Sequence, residues 1–383
     1  MTQRGIGRAG NAINGRYRFV TGIAMKTLTE LIGTALPIVQ APMAGVQGSA
    51  LAVAVSQAGA LGSLPCAMLA PAAMREELAA VRAGTRGPFN VNFFCHAQPE
   101  PDAARERRWR HRLGPALREF GLDPAAIPEG PGRQPFDEAA ADLLEAVRPP
   151  VVSFHFGLPA AGLLARVKAM GAVVLSSATT VDEARWLRDH GADAIVAQGL
   201  EAGGHRGIFL GNDLATQQGL FALLPQVARA VDVPVIAAGG IADAASVAAA
   251  FALGAAGVQA GTAFLLCPET RTSALHRAAL READARGTAL TNLYTGRPAR
   301  GLVTRMMREY GPIDPVAPAF PLASTVSGAL RGAAEARGSG EFSPLWAGER
   351  AAACREAPAA EVVAALARGV PAALRGQAAR QVG

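Results

Sequence analysis

Short apolar segments alternate with longer amphipathic segments along most of the chain, and this alternation constrains the fold more than any other feature. Eight segments from residue 36 onward predict strands: 37–41, 60–64, 89–93, 151–154, 173–176, 194–197, 235–238 and 258–260. The predicted helices between them include 50–58, 71–82, 158–170, 180–190, 219–231 and 243–253. This alternation is typical of an α/β protein with a buried parallel sheet. Eight strand-helix units in about 230 residues fit a TIM (β/α)8 barrel better than a doubly wound sheet, which stays open as the alternative.

The segments before and after this alternation predict further structural units beside the barrel. We expect a disordered leader over 1–25, the barrel over 26–270, a mainly helical subdomain without strands over 271–352, and a C-terminal helix over 353–383 that returns to the barrel. Segment 102–150 is longer than one helix needs, and we expect a solvated helix followed by a Pro/Gly-rich surface loop. The leader contains a G-x-G-x-x-G match at 5–10, but no strand precedes it, so we interpret the match as chance.

The net charge of +6 suggests nucleic-acid binding until the charges are located. The leader carries four arginines and no acidic residue, so it supplies +4 and leaves +2 for the remaining chain. With 5% aromatic residues and no basic stripe, the sequence gives little support for a nucleic-acid partner. No segment is long and apolar enough for a membrane span or a signal peptide, so no membrane binding is expected. The four widely separated cysteines indicate a reducing cytoplasm.

Other cofactor classes are excluded by missing motifs. The chain has two lysines, Lys26 and Lys168, and neither belongs to a P-loop. The four cysteines form no C-x-x-C pair, which argues against zinc, a redox dithiol and a disulfide framework. No H-E-x-x-H motif or spaced His/Asp/Glu cluster is present, so no metal is expected.

Glycines follow the seventh and eighth predicted strands, where TIM barrels commonly bind phosphate. Gly239-Gly240 and Gly261-Thr262 occupy these two positions, and Asp243 can cap the next helix. Glycine lets the backbone approach an anion closely. Either pair alone could simply make a tight turn, but together they predict a phosphate site.

His155 lies at the end of the fourth predicted strand. Alternation places Ser153 and His155 on one face and Phe154 and Phe156 on the other. If the phenylalanines pack outward against helices, His155 points into the barrel mouth, where it can act as a general base or acid. A buried structural histidine is the alternative. His205 lies in a glycine-rich loop and can position a cofactor or transfer a proton, whereas surface positions are expected for His96, His111, His190 and His276.

The ends of the predicted strands carry an ordered set of motifs. They are Gln40-Ala41-Pro42-Met43, Asn90-Val91-Asn92-Phe93-Phe94, Ser153-Phe154-His155-Phe156-Gly157, Glu201-Ala202-Gly203-Gly204-His205, Ala238-Gly239-Gly240-Ile241, Thr295-Gly296-Arg297-Pro298-Ala299-Arg300-Gly301 and Pro344-Leu345-Trp346-Ala347-Gly348. From about Lys26 to the C-terminus, this set resembles the nitronate monooxygenases, once called 2-nitropropane dioxygenases.

The resemblance implies an FMN enzyme on a TIM barrel with a helical, substrate-covering subdomain. It implies that FMN contacts Ala41, Pro42, Met43, Asn92, Gln198, Gly203, Gly240, Gln259, Ala260, Gly261 and Thr262, and that His155 removes the α-proton of a neutral nitroalkane. For a nitronate such as propionate 3-nitronate, the implied reaction runs through a flavin semiquinone and O₂ to a carbonyl compound and nitrite. Arg297 or Arg300 can attract a substrate carboxylate or instead tie down the helical part.

Two other functions stay open. The same fold with FMN also suits an NAD(P)H-dependent reductase of a quinone or an enoyl thioester. A flavin-free phosphate-binding barrel is the second, and it predicts a colourless protein. The oligomeric state is not predicted from the sequence.

Overall fold

Eight parallel strands form a closed barrel. The structure, a computed structural model, describes residues 26–128 and 132–375, so the predictions for the leader and its glycine motif lie outside the described residues. The strands of the chain are β1 (Ile38–Gln40), β2 (Gly62–Pro65), β3 (Phe89–Phe94), β4 (Val151–His155), β5 (Val173–Ala178), β6 (Ala194–Gln198), β7 (Gly204–His205), β8 (Val235–Ala238), β9 (Gly257–Ala260), β10 (Thr288–Thr291) and β11 (Ala299–Leu302). The barrel order is β1-β9-β8-β6-β5-β4-β3-β2, and a parallel bridge between Val39 and Leu61 joins its ends. The TIM-barrel prediction is confirmed.

Helices follow most barrel strands. They are α1 (Leu28–Ile32), α2 (Ser49–Gln57), α3 (Pro71–Gly84), α4 (Ala103–Glu119), α5 (Glu138–Val147), α6 (Ala161–Ala169), α7 (Val181–Asp189), α8 (Leu220–Ala230), α9 (Ala244–Ala252), α10 (Ala274–Arg281), α11 (Ala283–Arg286), α12 (Arg305–Tyr310), α13 (Ser324–Ala336) and α14 (Ala359–Ala367). The described residues contain no helix with the length and apolarity to cross a membrane.

Helix α1 closes the amino-terminal end of the barrel. Leu28 and Ile32 pack with Val151 and Ala194, which begin two barrel strands. The polar ends of the strands are therefore left at the opposite, carboxyl-terminal mouth, which is where this fold binds its ligands.

Beyond the barrel, a small antiparallel sheet corrects the prediction that no strand follows residue 267. Strand β10 pairs with β11, and β11 pairs with β7, the two-residue strand in the loop after β6. These strands were missed because each has four residues or fewer and lacks a run of large apolar side chains. The sheet joins the loop after β6 to the C-terminal part of the chain.

Helix α4 corrects the prediction of a merely solvated helix. Its side chains Trp109, Leu113 and Leu117 are fully buried and pack with residues of α12 and α13, including Met306 and Leu330. Each such apolar side chain contributes roughly 2 kcal/mol by leaving water. This apolar stripe holds α4 against the C-terminal part of the chain. It was missed in the sequence because many arginines lie between its apolar residues.

Helix α14 packs on the outside of the barrel. Val363 and Leu366 belong to the same apolar cluster as Val55 of α2 and Val247 of α9. Helix α14 thus covers the outside of the barrel between α2 and α9.

Candidate active site

A cavity of about 310 Å³ lies at the carboxyl ends of the barrel strands. The sequence-predicted site residues that line it are Ala41, Pro42, Met43, Asn92, His155, Gln198, Gly203, Gly240, Gln259, Gly261 and Thr262. The remaining one, Ala260, is buried in β9, where its carbonyl accepts a hydrogen bond from the Ala41 N–H (2.8 Å). Residues far apart in the chain are therefore brought to one cavity.

The loops after β8 and β9, residues 239–243 and 261–264, form what we call the anion end of the cavity. Gly239 and Gly240 have φ angles of +115° and +70°, which glycine adopts without a steric penalty. Among the described residues, no group accepts a hydrogen bond from the backbone N–H of Gly240 or Thr262. Backbone donors without a protein acceptor suit an anion such as phosphate.

Close backbone packing supports the anion end. The Gly348 N–H donates to the Thr262 hydroxyl (2.9 Å), and a Cβ on Gly203 would lie 2.5 Å from the Gly348 nitrogen. Gly203 is therefore required for this approach. Asp243 caps α9 as predicted, because its carboxylate accepts a hydrogen bond from the Ser246 N–H (2.8 Å).

Two amides at the floor of the cavity hold neighbouring backbone. Gln198 donates to the His205 carbonyl (2.9 Å) and accepts from the Gly207 N–H (2.8 Å), which fixes both ends of that turn. Asn92 donates to the Ser153 hydroxyl (2.9 Å). Gln198 thus shapes the loop after β6 in addition to lining the cavity.

His155 is held through both ring nitrogens. Nδ1 lies 2.5 Å from the Ser177 hydroxyl, and Nε2 lies 3.2 Å from the His205 carbonyl. Because a carbonyl only accepts, Nε2 carries the proton and Nδ1 accepts from Ser177. Burial, followed by the positive charge of Arg297, lowers the pKa of His155 to about 3. The ring is therefore neutral near pH 7, with its basic nitrogen hydrogen-bonded to Ser177.

His205 is a second neutral imidazole at the cavity wall. Its Nε2 lies 2.9 Å from the Thr295 hydroxyl. Burial is the main cause that holds the pKa of His205 well below its usual value, and the charge of Arg133 adds to it. His155, Ser177, His205 and Arg133 all line the cavity, and we call them the histidine end.

Arg297 and Arg300 lie outside the cavity lining. The Arg297 guanidinium stacks over the Phe156 ring at 3.9 Å and donates to the Ile208 carbonyl. Arg300 donates to the Leu200 carbonyl (2.8 Å) and pairs with Glu349 (3.0 Å). Both arginines tie the C-terminal part of the chain to the loop after β6. These contacts match the structural role that the sequence left open beside the binding of a substrate carboxylate.

Phe156 corrects the expectation that both phenylalanines of its motif pack outward. Phe154 does so, against Phe136, but Phe156 follows the strand with a φ angle of +71°. It packs with Phe94 and Phe320 in an apolar cluster. Successive side chains point to opposite faces only within a strand, and β4 ends at His155. The direction of the Phe156 side chain therefore cannot be predicted from this alternation.

His96 and His276 were expected at the surface, and both are buried, each 4% exposed. His96 donates through Nε2 to the Arg133 carbonyl (3.0 Å) and packs edge-on to Phe320. His276 lines the cavity, and burial lowers its pKa to about 4. Neither residue belongs to a local motif, so the sequence offered no sign of its burial.

Sequence reasoning also missed Ser177 and Arg133. Ser177 follows the fifth predicted strand directly, and the rule that strand ends carry the site identifies it in retrospect. Arg133 lies in the segment interpreted as a surface loop, and no local pattern marks it. In residues 26–128 and 132–375, no cluster of three His, Cys, Asp or Glu side chains is arranged to hold a metal.

Comparisons with known proteins agree on one family. The family model for nitronate monooxygenase matches residues 25–369. A nitronate monooxygenase from Pseudomonas aeruginosa is 45% identical over 88% of this chain and 97% of that protein.

Solved structures extend the similarity to the fold. A nitroalkane oxidase from Streptomyces ansochromogenes has 38% identity and a TM-score of 0.80, covering 93% of this chain and 99% of that one. The structure of FabK from Thermotoga maritima has 28% identity and a TM-score of 0.66, covering 89% of this chain and 95% of that one. The chain belongs to the nitronate monooxygenase family, a flavin-dependent family of oxidoreductases.

Proposed function

We propose that this protein binds FMN and oxidises alkyl nitronates, such as propionate 3-nitronate, with O₂ to a carbonyl compound and nitrite. The observation that carries the proposal is a single cavity with backbone anion donors at one end and neutral histidines beside an arginine at the other. The first end suits a flavin phosphate and the second suits a small anion.

The residues at the anion end fit FMN by the chemistry of their donors. The N–H groups of Gly240 and Thr262 are oriented by glycine turns and have no acceptor among the described residues. They would hold the phosphate, while Asn92 and the backbone of 41–43 would flank the ring system, with Gln198, Gly203 and the 259–261 segment beside it. Bound FMN would supply the redox chemistry that passes electrons from substrate to O₂.

His155 would serve neutral nitroalkanes and nitronates differently. A nitroalkane must lose its α-proton, and Nδ1 of His155 is a basic atom once the Ser177 hydroxyl turns to another acceptor. A nitronate is already an anion and needs no base. For that substrate the Nε2–H of His155, which donates to the His205 carbonyl (3.2 Å), would turn to an oxygen of the nitronate and orient it.

The C-terminal part of the chain would cover the substrate. Trp346 and Thr295 line the cavity, and Phe320 packs with Phe94 and Phe156 beside it. This apolar cover would exclude water, which strengthens charge interactions inside the cavity. On this reading 26–270 is the FMN-binding barrel and 271–352 the covering subdomain.

The test begins with the purified protein. We expect a yellow protein that releases FMN on denaturation, consumes O₂ with propionate 3-nitronate and forms nitrite. A protein that takes up no flavin when incubated with FMN would contradict the cofactor assignment. A flavin-loaded protein that forms no nitrite would contradict the substrate class.

The reductase alternative is tested in the same preparation. A quinone or enoyl-thioester reductase would oxidise NADH or NADPH rapidly when its acceptor is added. We expect no such oxidation above the rate without protein.

A further inference from the structure

Arg133 differs from the other arginines that line the cavity. Arg271 is paired with Glu77 (2.5 Å), and Arg331 is paired with Glu335 (2.8 Å). Within the part of the chain that the structure describes, no Asp or Glu carboxylate lies within 4.0 Å of the Arg133 guanidinium. Among the described residues, Arg133 therefore brings a positive charge to the cavity wall that no carboxylate pairs with.

The backbone at Arg133 is fixed in place. The carbonyl of Arg133 accepts hydrogen bonds from His96 Nε2 (3.0 Å) and Gln98 Nε2 (2.8 Å). Three residues later, the Phe136 N–H donates to the Phe94 carbonyl at the end of β3 (2.8 Å). These contacts hold the segment against the carboxyl end of a barrel strand. The backbone from which the Arg133 side chain extends is therefore fixed next to the cavity.

The head of Arg133 lies against the aromatic cover of the site. Its guanidinium carbon is 5.6 Å from the centre of the Phe320 ring, whose own centre is 5.4 Å from the His205 ring. Arg133 is half-buried, so part of its hydration is already lost before any ligand binds. A partly desolvated arginine recognises a carboxylate strongly through two parallel hydrogen bonds.

Arg133 lies on the His205 side of the cavity. Its guanidinium packs on the Phe320 ring that also contacts His205, and its positive charge contributes to the lowered pKa of His205. The charge of Arg297 contributes to the lowered pKa of both histidines, and that of Arg206 contributes at His155. A substrate with one acidic group at His155 and another on the His205 side would contact both.

We propose that Arg133 binds a carboxylate carried on a short chain from the nitronate carbon, and that it selects such dianionic nitronates over simple alkyl nitronates. This inference rests on the proposed function for the identity of the reacting group. It assigns to Arg133 the binding of the second acidic group, which sequence reasoning had offered to Arg297 or Arg300.

The first test compares two substrates of equal chain length, propionate 3-nitronate and propyl 1-nitronate, on the flavin-loaded protein. Arg133→Gln should lower kcat/KM for propionate 3-nitronate about 30-fold, mainly through KM, because the carboxylate loses its charged partner. The same variant should change kcat/KM for propyl 1-nitronate by less than about threefold. Arg133→Lys should retain part of the preference, because it keeps the charge but not the planar fork.

Arg107→Gln is the charge-matched control, because Arg107 is exposed on α4. It should leave the ratio of the two kcat/KM values unchanged. An equal loss on both substrates in Arg133→Gln would overturn the inference and indicate that Arg133 contacts the nitronate group itself. No loss on either substrate would also overturn it.

The second test needs no turnover. Succinate and butyrate have the shapes of the two nitronates with a carboxylate in place of the reacting group, and their binding is measured by calorimetry. The parent protein should bind succinate at least about tenfold more tightly than butyrate, and Arg133→Gln should remove the difference. Equal affinities in the parent, or a preference that survives in the variant, would contradict the inference. Absence of nitronate turnover in the parent would instead reject the proposed function and leave this binding test intact.

Discussion

The two ends of the cavity are built from different parts of the polypeptide. The anion end is formed by backbone groups in two neighbouring loops, after β8 and β9. The histidine end is formed by side chains from positions 133, 155, 177 and 205, and residues 295 to 300 hold it in place. Changes of side-chain charge should therefore affect substrate chemistry at the histidine end and leave flavin affinity nearly unchanged.

The largest expected effect is at the histidine end. His155→Asn should lower kcat/KM for a neutral nitroalkane by about 10²- to 10⁴-fold, because the base that takes the α-proton is lost. The same variant should turn over the preformed nitronate within about threefold of the parent. Steady-state O₂ consumption with nitroethane and ethyl nitronate measures both values.

His111→Asn provides the control for this comparison, because His111 is exposed on α4. Parent-like activity of His155→Asn on both substrates would remove His155 from the role of base. A large loss of flavin in His155→Asn would break the proposed separation between the two ends.

The next effect concerns the anion end. Gly203→Ala places a Cβ 2.5 Å from the Gly348 nitrogen and 2.6 Å from the Ala347 carbonyl carbon, so backbone must move. We expect FMN affinity to fall about 10- to 100-fold, the range that corresponds to the strain of overpacking. Fluorescence titration of the flavin-free protein with FMN measures the change.

Gly204→Ala is the matched control. Gly204 has a φ angle of +75°, but a Cβ there would meet nothing within 4 Å. It carries only backbone strain of about 1 kcal/mol, so its flavin affinity should fall less than that of Gly203→Ala. Equal losses in the two variants would show that loop strain, rather than the contact with Gly348, limits flavin binding.

A third expected effect is a pH dependence of stability at the histidine end. The folded pKa of His155, about 3, lies below the value of about 6.5 for an unfolded histidine, so the unfolded chain binds a proton first as the pH falls. Stability should therefore decrease on acidification through pH 6.5 towards pH 3. Between pH 7.5 and pH 5, His155 alone should account for a loss of about 2 kcal/mol in the free energy of unfolding.

Urea unfolding of the FMN-saturated protein at the two pH values measures this loss. His155→Asn cannot titrate and should lose correspondingly less stability than the parent over the same interval. An identical loss in both proteins would assign the pH dependence to other buried groups, such as His276.

The barrel was predictable because each of its strands is marked by a short run of residues in the sequence. The barrel strands are buried on both faces, so their apolar runs mark them directly, and β3 and β4 each extend the predicted strand by one residue. The loops of the anion end were identifiable for a similar reason, since Gly239-Gly240 and Gly261-Thr262 directly follow two strands that the sequence predicts. The sequence could not show that β10 and β11 pair with β7, because their pairing depends on the tertiary fold.

The histidine end was predicted only in part. His155 was found because it lies at a strand end, but Arg133 and His96 reach the site through a long connection between β3 and β4. For Arg297 the sequence left a substrate-binding and a structural role open, and its stacking on Phe156 fits the structural one. Contacts between positions so far apart in the chain leave no periodic pattern in the sequence.

Mixing without oxygen shows directly whether the flavin of this protein takes electrons from a nitronate. The FMN-loaded protein is mixed anaerobically with propionate 3-nitronate and, separately, with NADH, while the absorbance of the oxidised flavin is followed. We predict that the nitronate reduces the flavin and that NADH leaves it oxidised. Rapid loss of the oxidised flavin with NADH, and none with the nitronate, would show that the protein is a reductase and not a nitronate monooxygenase.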